Sequence, residues 1–126
     1  MFCKIYIFIL ALLTLTSVDA PMCKGLKCWY KDYNEKYFSN HLPENTDVGY
    51  GPCPIANVQA CDWNEPGHFV IRLIPKYNLA PDTAHFTLLH EMCHLDTFNS
   101  EIEDHGPMWQ ACMHRLANLG AFDNLW

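Results

Sequence analysis

At 126 residues and 14.6 kDa, the chain is long enough for one compact core and too short for two ordinary domains. Half of its residues are hydrophobic and only 17% are charged, which excludes a wholly disordered polymer. Fourteen acidic residues against eight Lys and Arg give a formal charge of −6 with no basic run, so direct binding of nucleic acid is not expected.

The chain opens with Lys4, an apolar run from Ile5 to Leu13 and a small-residue exit at Val18-Asp19-Ala20. Residues 1–20 therefore read as a secretory signal peptide, with one mature domain over 21–126. The run is too short for a comfortable bilayer crossing, so no stable membrane span is expected. Pro21 is a poor neighbour for a scissile bond and leaves the cleavage point open. If the segment is instead an apolar helix packed on the domain, the chain would be intracellular. Export would remove Cys3 and leave Cys23, Cys28, Cys53, Cys61, Cys93 and Cys112, an even set that suggests disulfides in a small secreted domain. Sequence does not choose the connectivity; local pairing joins Cys23 with Cys28, Cys53 with Cys61 and Cys93 with Cys112. No C-x-x-C pair occurs, so the signature of a zinc ribbon is absent.

Leu26, Tyr30, Tyr33 and Tyr37 recur at helical spacing and predict a first helix from about Leu26 to His41, ended by Pro43. From Thr46 to Tyr77, Gly and Pro punctuate short β-prone pieces around Val48, Ala56 to Trp63 and His68 to Ile74, with Asn64 to Gly67 as a hairpin loop. A small, mainly antiparallel sheet is expected there. A second helix is expected from Asp82, whose carboxylate could cap it, through His94 toward Phe98. A third begins at Pro107 with the stripe Trp109, Cys112, Met113 and Leu116, and stops at Gly120. The fold class is α+β, about three helices with a small sheet.

The second helix carries His90-Glu91-Met92-Cys93-His94, the pattern H-E-x-x-H. Residues four apart lie one turn above each other, so both imidazoles can meet one metal ion, zinc being the natural choice. Glu91 flanks that line and is placed to act as general base on a water. Cys93 reads as packing or half of a disulfide rather than a ligand. His105, in Asp104-His105-Gly106-Pro107, precedes a helix start, where Gly106 could turn the chain and let a loop deliver a third imidazole. His41, His68, His85 and His114 read as surface or helix histidines. Glu101, Glu103 and Asp104 read as a solvated loop; with Asp96 they are alternative partners for a ligand imidazole's second nitrogen.

Tyr33-Asn34-Glu35-Lys36-Tyr37-Phe38 with Leu42-Pro43, then Leu88 to His94, then His105-Gly106-Pro107-Met108-Trp109 with Met113 and Arg115, together resemble the SprT-like metallopeptidase domain. The resemblance spans about Leu26 to Leu119. It implies a minimal zincin-like fold, one Zn2+ per chain on His90, His94 and His105, and Glu91 as the catalytic glutamate. The apparent export signal, the cysteine content and the lack of a basic extension depart from the relatives of this family that act on proteins crosslinked to DNA. The function expected is hydrolysis of peptide bonds in a protein or peptide substrate by a secreted monomer. The alternatives are a zinc domain without turnover and a disulfide-stapled interaction domain. The strand His68 to Ile74 is the expected edge for an added substrate strand.

Overall fold

The computed structural model describes residues 23–125; the segment read as a signal peptide lies outside them. The elements are α1 (Leu26–Tyr37), β1 (Asp47–Tyr50), β2 (Ala60–Glu65), β3 (His68–Leu73), a short 3-10 turn (Pro75–Tyr77), α2 (Pro81–Thr97) and α3 (Pro107–Asn118). This is an α+β fold of three helices and one three-stranded sheet.

α1 buries Leu26, Tyr30 and Tyr33 on one stripe, as their spacing requires. It ends at Tyr37 rather than His41, because Ser39 and Asn40 take left-handed backbone angles (φ 50° and 58°). The buried Asn34 side chain fixes that turn: its amide donates to the Leu42 carbonyl at 2.9 Å, and its oxygen accepts from the Leu42 N–H at 3.1 Å. The buried Tyr30 hydroxyl likewise lies 2.7 Å from the Pro43 carbonyl, so little polar capacity is wasted under this helix.

β2 and β3 form an antiparallel hairpin with Glu65 opposite His68. Its loop is Pro66-Gly67, two residues shorter than Asn64 to Gly67. Proline fixes φ near about −65° and Gly67 sits at φ 92°, the pair of angles a type II turn needs. β1 then adds parallel to β3, with Asp47 opposite Val70, so the sheet order is β1-β3-β2 and the sheet is mixed. The antiparallel pairing is the longer one. This order corrects one expectation: β3 is the central strand, bonded on both sides, and cannot accept a further strand. β2 is an edge.

α2 packs across β2 and β3 and against α3, and α1 packs on β1 and α2. Tyr30, Ile71, Leu73, Leu88, Leu89, Met92 and Leu116 are fully buried between these layers. Pro81, not Asp82, is the first residue of α2; Asp82 makes no capping bond and instead places its negative charge in the first turn, where the helix dipole favours it. α3 begins at Pro107 and ends in a Schellman motif, with the N–H of Ala121 on the Leu116 carbonyl and that of Gly120 (φ 80°) on the Ala117 carbonyl.

The sulfurs of Cys23 and Cys28, Cys53 and Cys61, and Cys93 and Cys112 lie 1.98, 2.09 and 2.09 Å apart, so each local pair is joined. The last ties α2 to α3. No helix among the described residues is long and apolar enough to cross a membrane.

Candidate metal centre

One turn of α2 projects His90 and His94 to the same side, and the loop before α3 brings His105 to meet them. The three Nε2 atoms form a nearly equilateral triangle: 3.2 Å between His90 and His94, 3.1 Å between His94 and His105, and 3.1 Å between His105 and His90. Four-coordinate zinc with nitrogens at about 2.0–2.1 Å sets ligands roughly 3.3 Å apart, so this donor set fits that ion with adjustments of a few tenths of an ångström. All three ring nitrogens point inward, an arrangement that mutual hydrogen bonding alone cannot satisfy in every pair.

Local geometry holds the third imidazole in place. His105 adopts a left-handed backbone (φ 57°), uncommon for a residue with a side chain, and Gln110 donates from its amide to the His105 carbonyl at 2.9 Å. Glu101 supplies the missing cap of α3: its two oxygens accept from the Met108 and Trp109 N–H groups at 3.0 and 2.8 Å. Glu101 is therefore not a free solvated acid. Gly106 is explained by the same contact. Its φ of −70° is ordinary, but a Cβ there would stand 1.8 Å from a Glu101 oxygen. The glycine makes room for the cap rather than turning the chain, which revises the reason first given for it.

Trp109 forms a wall of the site. Its ring centroid lies 4.8, 5.4 and 4.4 Å from those of His90, His94 and His105, and its indole N–H donates to the His90 carbonyl. Outside the triangle, the Asp104 carboxylate stands 3.5 Å from His94 Nδ1 and 3.7 Å from His105 Nδ1. It favours protons on those outer nitrogens and lone pairs on the inner ones. Asp96 does not take that role: it pairs with His41 and approaches Arg115 at 4.0 Å, on the side of α2 toward α1. His85 is held by the Tyr33 hydroxyl at 2.8 Å and the Trp29 ring, and His68 pairs with Glu65. His114 is exposed on α3.

Glu91 is 5% exposed and sits beside the triangle without joining it. Facing it from β2 is Asp62; one ligand atom each of Asp62, Glu91 and His94 lie within 4.8 Å of one another. Motif reasoning missed Asp62. Its signal was an acidic residue in mid-strand, where acids are depleted, on the face alternate to Cys61. These groups line a cleft of about 490 Å³ together with Phe98, Ile55 and Trp109.

Burial, reinforced by charge on His94 and His105, pushes the His90 pKa down to about 4, and burial also lowers those of His94 and His85. Burial first, and then the hydrogen-bonded Asp62, raises Glu91 well above the usual carboxylate range. In metal-free protein, the unfolded chain takes up protons on these histidines below about pH 6.5 that the folded chain refuses, so stability falls as pH drops from there toward 4. Folded Glu91 keeps a proton that the unfolded chain releases, so its contribution is lost as pH rises. With the histidines already neutral above 6.5, only the Glu91 loss remains. The midpoint of thermal unfolding in chelator is therefore expected to peak near pH 6.5 and fall on both sides; a midpoint that climbs steadily to pH 9 would contradict this assignment.

A family model described as the SprT-like family matches residues 26–124, which takes in all three helices, the sheet and the site. No curated protein matches the sequence significantly.

Proposed function

The chain belongs to the SprT-like family, and from that premise we propose that it is a zinc-dependent peptidase that hydrolyses peptide bonds in protein or peptide substrates. The observation that carries the reading is the triangle of three imidazole nitrogens, all within 3.2 Å of one another, beside a buried carboxylate that is not one of them. His90, His94 and His105 would hold one Zn2+, leaving one tetrahedral position for water or substrate. The ion, when bound, supplies Lewis acidity: it acidifies water and polarises a carbonyl.

Glu91, which the positive charge of an ion held beside it would keep ionised, accepts the proton from the attacking water and returns it to the leaving amine. His90, with its depressed pKa, is already neutral at physiological pH, so its lone pair is open to a metal without displacing a proton. Asp104 faces the outer nitrogens of His94 and His105, the side from which a carboxylate orients a ligand imidazole. Trp109 and Phe98 give the cleft part of its apolar lining. β2 lines the cleft through Ala60, Cys61 and Asp62, and its edge away from β3 is open among the described residues. An extended peptide can add there main chain to main chain, across the face of Glu91.

We place the mature domain, residues 21–126, in an oxidising compartment after export. Three disulfides in a domain this small support that location, since such bonds persist outside reducing cytosol. Metal analysis and peptide cleavage test the whole reading. Purified chain should carry one zinc, lose cleavage in chelator and regain it with Zn2+; His90→Ala and His105→Ala should each abolish both zinc retention and cleavage. Full zinc and full activity in His105→Ala would remove the loop imidazole from the site and end the proposal.

A further inference from the structure

Thr83, Thr87, His90 and His94 follow one another at steps of four, three and four, so the stripe of α2 that carries two of the imidazoles continues toward the start of the helix. A second cavity lies along that continuation. It measures about 340 Å³ and is lined by Gln59 and Ala60 at the start of β2 and by Thr83, Phe86 and Thr87 of α2, with His90 and Glu91 on its border toward the site. Ala60, His90 and Glu91 also line the larger cleft, whereas His94 and His105 line the larger cleft alone. His90 and Glu91 therefore stand on the partition between the two. The walls of the smaller cavity are held from behind: the Gln59 carbonyl accepts from the Ile74 N–H at 3.0 Å and from the Asn78 side-chain amide at 3.1 Å, and the Phe86 ring lies 5.2 Å from that of Phe122. Thr87 is only 8% exposed, and no other group among the described residues bonds its hydroxyl. A buried hydroxyl without a partner is destabilising, and the cavity is the side from which a partner can come.

We propose that this cavity is the side-chain pocket for the substrate residue whose nitrogen is released at the scissile bond, and that it takes an uncharged side chain with an amide tip, glutamine above all. The register rests on the peptidase reading. The substrate carbonyl turns to the imidazole triangle and the leaving amine to Glu91, so the chain beyond that amine departs on the Glu91 side, where the smaller cavity opens. A peptide laid along the edge of β2 passes Ala60, which borders both cavities. The lining then selects. Phe86 and Ala60 offer apolar surface to the aliphatic part of a side chain, while Gln59, Thr83 and Thr87 are polar and uncharged. An amide can donate to the Thr87 hydroxyl or accept from it. No Lys or Arg lines the cavity, so a carboxylate tip would lose its water without gaining a counter-charge. An apolar tip would leave the Thr87 hydroxyl without a partner.

Peptides identical except for glutamine, methionine or glutamate at that position, three side chains of similar length, test the pocket in two ways. Calorimetry with the metal-free full chain in chelator, where nothing is cleaved, should rank glutamine above methionine by about three- to tenfold and above glutamate by at least tenfold. The kcat/KM values of the zinc-loaded chain should follow the same order. Thr87→Val keeps the shape of the side chain and removes its hydroxyl, so it should bring the glutamine peptide down to the methionine level and leave methionine unchanged; Thr87→Ser should preserve the preference. Thr83→Trp, an exposed change at the mouth, should weaken the glutamine and methionine peptides at least tenfold. Equal affinities for the three peptides, a glutamine preference that survives Thr87→Val, or full affinity in Thr83→Trp would overturn the proposal. If the ranking holds in chelator but the zinc-loaded chain cleaves none of the three, the selectivity of the pocket stands and the peptidase reading falls.

Discussion

Glu91→Gln should lower kcat/KM for peptide cleavage about 10²- to 10⁴-fold, the usual worth of a positioned general base, while bound zinc stays at one per chain. Glutamine has nearly the same shape, so the packing around position 91, only 5% exposed, is retained. What it loses is the ability to accept a proton. The imidazole triangle does not include Glu91, so the metal ligands are untouched. The substitution also replaces a carboxyl facing Asp62 with an amide that can donate to it, removing a like-charge contact. Metal-free Glu91→Gln should therefore lose its alkaline decline in stability even as turnover collapses. Parallel measurement of kcat/KM, bound zinc and thermal midpoint checks all three; unchanged cleavage with normal zinc would mean that another group takes the proton.

The contrast between position 91 and its neighbours shows what a sequence can disclose about such a site. His90, Glu91 and His94 are legible because one helical turn fixes their relation, and helical geometry needs no tertiary information. His105 was readable as a candidate because Pro107 announces a helix start just behind it. The reason its loop holds shape was not readable: the Glu101 cap on Met108 and Trp109, and the space that Gly106 leaves for it, depend on a carboxylate folding back over a chain segment with no periodic pattern. Asp62 is harder still, being 29 positions before Glu91 and on a different element. Its meeting with Glu91 is set by strand order, and strand order was the part of the fold left unresolved. β3 carries the strongest β pattern, Phe69-Val70-Ile71-Arg72-Leu73, yet such a run with Val70, Ile71 and Leu73 all buried is what a central strand looks like. β2, interrupted by Asp62 and Asn64, has the mixed composition an edge tolerates.

Removing the Cys93–Cys112 bond by the double change Cys93→Ala and Cys112→Ala should cost about 3 kcal/mol of folding stability, from the chain entropy released by opening a loop of this length. Both sulfurs are buried, so loss of their packing adds to the cost rather than offsetting it. The position of this bond gives it a second consequence. Cys93 lies inside the motif, between Glu91 and His94, and Cys112 lies on the helix whose N-terminal loop presents His105. The bond therefore clamps the element holding two imidazoles to the element that positions the third. Without it, α2 and α3 still pack against each other and both contribute to the one core, Met92 from α2 and Leu116 from α3, but their registry must be maintained by packing alone. Zinc affinity should fall together with stability. Opening Cys23–Cys28, at the start of α1, should lower stability without weakening zinc, because neither residue belongs to an element that bears a ligand. Denaturant unfolding of the two double variants, each with and without Zn2+, separates the effects. Equal zinc affinities in the two variants would mean that the clamp stabilises the fold but does not set the site, and that α2 and α3 find their registry through side-chain packing.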